Sequence, residues 1–189
     1  MAELTQSPMR LYTDTVDPTV NEDSSNGYEI GNWWRNSSTL TLFQCDDDSV
    51  GAAIWNEKPT LETGTFIPEI QFGGASIGVA YVTQSGSFVR VGNAVTINIT
   101  ISLSNKGTSV GSVTLINLPY PNGNDQAGFT IYTDNIALTT LYTIYGSRIS
   151  PAQQFIRLFE TGSLLGIQNL TDVSFQNDSQ LFVSGTYFM

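Results

Sequence analysis

The segment AVTINITISL, residues 94–103, alternates apolar and polar side chains without a break. Val95, Ile97, Ile99, Ile101 and Leu103 share one face; Thr96, Asn98, Thr100 and Ser102 share the other. Period two marks a half-buried strand, because no helical face can collect that apolar set. Its β-branched residues suit a pleated surface. Gly92-Asn93 supplies a turn signal before it, and the SNKG of residues 104–107 supplies one after it. The pattern recurs in GVAYVTQ and SFVRV, which Ser85-Gly86 is expected to join as a hairpin. It returns in SVTLINL (112–118), GFTIYT (128–133), IALTTLYTIY (136–145) and LFVSGTYF (181–188). Strands so spaced predict an all-β sandwich or barrel, and the expectation taken forward is an antiparallel, jelly-roll-like β-sandwich. SPAQQFIRLFE (150–160) fits two patterns. Ser150 and Pro151 would start a helix, yet Ile156 and Leu158 also alternate against Phe155 and Phe159. The β context favours the strand.

Residues 1–60 differ. TVDPTVNEDSSNGYEIG is acidic and turn-rich, and GNWWRNSSTLTLFQC follows it. The first 69 residues hold 12 of the 17 acids and three of the seven bases. Residues 70–189 hold five acids and four bases, and cover themselves with Ser, Thr, Asn and Tyr. Such asymmetry predicts two regions with different tasks. The sequence divides into a segment 1–20, a small β module 21–61 centred on tryptophan, and the sandwich 62–189. In the module, Trp34 sits on a short strand and TLTLFQC is the returning strand of a hairpin. Phe43 faces back across the pair, and Trp55 closes the bottom. Trp34, Phe43 and Trp55 are thus the expected mini-core. Trp33 points to the opposite face, where stacking on a ligand is the alternative role. So small a module buries too little surface to stand alone. Its missing core, and the many apolar strand faces, predict an oligomer.

Gly31, Trp34, Asn36, Thr39, Phe43 and Trp55 form a Gly-x-x-Trp-x-Asn opening, a Thr-rich turn, an aromatic strand and a closing Trp. This pattern resembles a connector module of bacteriophage fibre and tail proteins. A second resemblance lies in Thr63-Gly64-Thr65-Phe66-x-Pro68, Gly73-Gly74, GVAYVTQSGSFVRVGN, SNKGTSVGS, LPYP and the closing LTDVSFQNDSQLFVSGTYFM. Together they look like a terminal domain of phage tail fibres and other virion appendages. The two resemblances cover most of residues 15–189, with 120–165 matching less clearly. They imply a homotrimer on the virion, joined to other virion proteins through its N-terminal segment. They also imply a C-terminal domain that binds a host-surface glycan or protein. A structural decoration or adaptor protein is the alternative; a glycan depolymerase or free lectin-like module comes third.

The residues themselves narrow the chemistry. There is no histidine, and Cys45 is the only cysteine. That excludes an intrachain disulfide, Cys/His zinc sites and His-based triads. A formal net charge of −10 argues against nucleic acid. No apolar run is long enough to span a bilayer, so membrane insertion is not expected, and the N-terminus shows no secretory h-region. Asp46-Asp47-Asp48 lacks the spacing of a calcium loop and reads as a solvated turn. Asn36, Asn98, Asn169 and Asn177 open Asn-x-Ser/Thr sequons, which reflect Asn/Ser/Thr-rich β surfaces. Asp125, Asp134, Glu160, Asp172 and Asp178 show no pairing suited to glycoside hydrolysis. No cofactor, metal site or catalytic group is therefore expected. Tyr120, Asn122, Tyr132, Asn135, Tyr142 and Tyr145 are the candidate receptor contacts, since tyrosine joins a flat ring to a hydroxyl.

Overall fold

The computed structural model describes residues 9–139, 142–162 and 165–189. The chain is all-β among these residues, broken only by 3-10 turns at Ser24–Asn26 and Asp172–Ser174. It divides into two compact units, the first ending at Thr60 and the second beginning at Leu61. No helix among the described residues is long and apolar enough to cross a membrane.

The first unit is one four-stranded sheet: β1 (Leu11–Asp14), β2 (Trp33–Asn36), β3 (Leu42–Asp47) and β4 (Ile54–Lys58), in that order. The sequence places residues 11–14 in a separate attachment segment. They instead form β1, parallel to β2, with Tyr12 beside Trp34. Without β1, β2 would present an open edge of unpaired amides and carbonyls, and the upstream segment covers that edge. The expected strand TLTLFQC (39–45) is displaced: it begins at Leu42 and runs past Cys45 to Asp47, taking in the first two residues of the acidic run. Residues 1–8 of the expected attachment segment lie outside the described residues.

The second unit packs two sheets face to face. One runs β10 (Ala127–Gly128), β12 (Ile144–Ile149), β13 (Ile156–Gly162), β9 (Val113–Ile116) and β6 (Glu69–Phe72), with β14 (Leu165–Asn169) also on β13. The other runs β11 (Thr130–Ile136), β15 (Phe175–Phe188), β8 (Ala94–Lys106), β7 (Val79–Val91) and β5 (Leu61–Phe66). Every pairing in both sheets is antiparallel. The alternation of β8 decides the core: Val95, Ile97, Ile99, Ile101 and Leu103 are all buried. Ile70, Phe72, Val113, Leu115, Ile149, Ile156 and Leu158 meet them from the other sheet. Each such side chain contributes about 1.5–3 kcal/mol by leaving water.

Three local expectations change. VAYVTQSGSFVRV is one continuous strand, β7, and Ser85-Gly86 is not a turn. The true hairpin is at Gly92-Asn93, where Val91 pairs with Ala94 and Gly92 takes φ 59°. IALTTLYTIY is not one strand: β11 ends at Ile136 and β12 begins at Ile144. Thr140 and Leu141, between them, lie outside the described residues. In 150–160 the strand wins from Ile156 onward, with Ile156, Leu158 and Glu160 facing inward. Residues 151–154 remain a turn because Pro151 lacks an amide hydrogen and Ala152 takes φ 56°.

Candidate functional site

Tyr12, Tyr28, Trp34 and Trp55 gather on one face of the first unit's sheet. Trp34 is 5% exposed, and its ring lies 5.9 Å from that of Trp55. Tyr28, from the connection between β1 and β2, touches both, at 5.9 and 5.8 Å, and Tyr12 lies 4.6 Å from Tyr28. The indole nitrogens are satisfied: Trp34 Nε1 donates to the Val16 carbonyl and Trp55 Nε1 to that of Glu22, both at 2.9 Å. Phe43 stands opposite Trp34 in the register and is half-buried. Tyr12 and Tyr28 were invisible to a reading built on a two-stranded hairpin. Trp33 lies on the other face, half-buried, with its Nε1 donating to Met9 Sδ. Asp23 ties the module's loops together. Its carboxylate accepts from Ser25 Oγ and N, and from Gly51 N at 2.6 Å. Those bonds, led by the Ser25 hydroxyl, hold it below the usual carboxylate range.

The acidic run in this unit is tied to its neighbours. Asp46 accepts from Asn56 and lies 3.8 Å from Lys58, while Asp47 accepts from Ser49 N. Among the described residues no three His, Cys, Asp or Glu side chains gather as a metal cluster would. Burial, with Asp48 nearby, pushes the Cys45 thiol up, so it is not poised as a nucleophile.

The six candidate receptor contacts do not converge. Tyr132 is 67% exposed on β11, its ring 5.7 Å from Phe182 of β15. Asn135, at φ 53°, donates to Asp178 on the same edge. Tyr142 is half-buried and its hydroxyl donates to Gln168. Tyr120 lies elsewhere, donating to Glu62 at 2.6 Å beneath the Arg90 guanidinium, 5.2 Å from its ring. The hydrogen bond to Glu62, then burial, raises its pKa. Two of the six are structural. Asn122 is buried, and its amide donates to the carbonyls of Asp125 and Ser150. Tyr145 packs on the core and donates to the Ile136 carbonyl. A buried amide must find a partner; that of Asn122 and the half-buried phenol of Tyr145 both found backbone carbonyls.

The carboxylates of the second unit have separate tasks. Glu160 is buried and accepts from the amide and hydroxyl of Thr139. Asp172 receives Gly111 N at 2.8 Å and Lys106 at 3.8 Å. Asp178 receives Asn135.

A concave surface lies where the sequence signalled nothing. β13 pairs β9 through Ile156 and Arg157, then pairs β14 from Phe159 onward. At this fork the outer face of the sheet opens into a groove of about 390 Å³. Gln71, Thr114, Phe155, Arg157 and Asn169 line it, beside Gly73-Gly74, and its lining holds no carboxylate. The glycines are required: Gly73 takes φ 62°, and a Cβ there would stand 2.2 Å from the Val110 carbonyl oxygen. Aromatic, amide, hydroxyl and guanidinium groups in one groove can stack on and hydrogen-bond a polar ligand. Alternation along β6, β9 and β13 hints at the outward residues, but only the pairing brings them together.

The outer face of the five-stranded sheet is different again. Across it run Thr63, Val89, Thr96 and Thr186, then Thr65, Ser87, Asn98 and Ser184. These rows carry no charge.

No protein-family model and no curated protein matches the sequence. The fold does have a likeness among solved structures. The crystal structure of the Dettilon tailspike protein superposes with a TM-score of 0.59 at 18% sequence identity, over 68% of this chain. The match covers 24% of the tailspike chain, so this protein spans about a quarter of the length of the one it resembles.

Proposed function

We propose that this chain is a phage tail-appendage protein whose second unit attaches the particle to the host surface without turning its ligand over. The likeness in fold to a tailspike protein carries this reading. The lining of the groove supports attachment over hydrolysis, because glycoside cleavage needs two carboxylates and the lining has none. The first unit serves as a connector toward other virion proteins. Three copies associate through the charge-free rows on the five-stranded sheet, a surface that repels no second copy. Several weak sites then act together on one cell.

The test uses the full chain. It should compete with intact particles for host cells, release no reducing ends from host polysaccharide, and scatter light as a trimer. Binding to the particle but not to cells would make it a decoration protein. Released reducing ends would make it a depolymerase.

A further inference from the structure

Four polar side chains stand in one row across the six-stranded sheet. Arg148 of β12 pairs in register with Arg157 of β13, Arg157 with Thr114 of β9, and Thr114 with Gln71 of β6. Gly128 of β10 follows Arg148 in the same row, so no side chain covers that end. Alternation fixes their direction. Ser147 and Ile149 around Arg148 are buried, as are Ile156 and Leu158 around Arg157. Both guanidiniums therefore leave the sheet on its outer face.

Like charges directly opposite each other destabilise a sheet. The other cations of this unit are matched, Arg90 by Glu62 at 3.2 Å and Lys106 by Asp172 at 3.8 Å. Arg148 and Arg157 make no ion pair among the described residues. Arg157 is also held in place: its Cζ lies 5.4 Å from the centre of the Phe155 ring. That cation–π contact reduces the freedom a ligand would otherwise have to freeze.

We infer that this row and the adjoining groove form a binding site for an anionic saccharide. The acid group, a carboxylate or a phosphodiester, lies between Arg148 and Arg157. The sugar hydroxyls meet Thr114, Gln71 and Asn169. The guanidinium fork matches either anion with two parallel hydrogen bonds. An anion there relieves the repulsion between the two arginines and displaces no existing ion pair. The inference rests on the second unit being the host-surface binder, and it names the ligand class.

Calorimetry on the full chain tests it, with three oligosaccharides of equal length: one bearing glucuronate, one phosphodiester-linked, one neutral glucan. At least one acidic oligosaccharide should bind about tenfold tighter than the glucan. The preference should weaken with salt and vanish in R148Q/R157Q. The acid preferred identifies the source of the anion. Arg157→Gln alone, at an exposed position, gives the same reading if the double variant folds poorly. Equal affinity for all three probes, or a preference that survives the substitutions, overturns the inference. So does a change of oligomeric state in R148Q/R157Q, which would assign the arginines to a contact between copies. Cell attachment that persists in the double variant sinks the anionic site and leaves the attachment reading standing. An acidic preference in a chain that never binds cells does the reverse.

Discussion

Gly86 lies directly across from Phe66 between β7 and β5, and the Phe66 ring fills the space where a Gly86 side chain would stand. Two residues along, the arrangement is mirrored, with the Phe88 ring over Gly64. A Cβ would stand 2.6 Å from Phe66 Cζ at Gly86, and 2.5 Å from Phe88 Cε1 at Gly64. An aromatic ring laid over a strand glycine restores the packing that the glycine lacks. Gly→Ala in an unstrained strand ordinarily stabilises by about 0.4–1 kcal/mol. Here Gly86→Ala and Gly64→Ala should each destabilise by about 1–3 kcal/mol, because the rings must move into a packed core. Urea unfolding of the single variants checks the sign.

Trp34→Ala should destabilise the first unit by about 3–5 kcal/mol, the cost of deleting a buried aromatic. It also orphans the Val16 carbonyl, which Trp34 Nε1 now satisfies. Trp33→Ala should cost clearly less, since that ring is half-buried and contacts a thioether. Near-UV circular dichroism of each variant during denaturation ranks them. A larger loss at Trp33 would reverse the assignment of the core.

The first unit should be sensitive to acid through Asp23. Its carboxyl is held below the ordinary value of 3.8 by hydrogen bonds from Ser25 and Gly51. A depressed folded-state pKa stabilises above the unfolded value, and the gain is lost as pH falls through the folded one. Asp23→Ala should therefore lower the melting temperature at neutral pH. Its deficit should shrink as pH falls below the ordinary carboxylate range. A deficit independent of pH would remove the carboxylate from the explanation.

The second unit should lose stability at alkaline pH through Tyr187. Its ring is fully buried, and burial raises its pKa from 10.0 to about 12. The raised value stabilises fully below pH 10, and the contribution falls away between pH 10 and about 12 as the unfolded phenol ionises first. Its hydroxyl donates to the Tyr120 carbonyl at 2.8 Å and accepts from the Tyr120 amide at 3.3 Å. Tyr187→Phe should cost about 1–3 kcal/mol at neutral pH, since it leaves both backbone groups without this partner. It should also flatten the alkaline loss. Denaturation monitored across that pH range reads both effects.

Period two alone determined that this chain is all-β. Val95 to Leu103 had no other way to share an apolar face, so burial of that row, and a sheet opposite to cover it, followed from the sequence. The polar Thr and Asn positions of β8 followed as its outward face. Gly86 was misread because a glycine beside a serine has the same local chemistry in a turn and under a phenyl ring. Only the opposing strand, carrying Phe66, distinguishes the two. Asn122 and Tyr145 were misread for a related reason: a polar side chain signals hydrogen bonding, but tertiary packing selects water or a buried carbonyl as its partner. Leu11–Asp14 joined the first sheet because β2 had an open edge, which no local pattern reveals. The groove and the arginine row lay furthest from view. Gln71, Thr114, Arg148 and Arg157 are scattered over nearly 90 residues, and each reads as an ordinary outward side chain. Strand register, a property of chain pairing and not of any segment, placed them side by side.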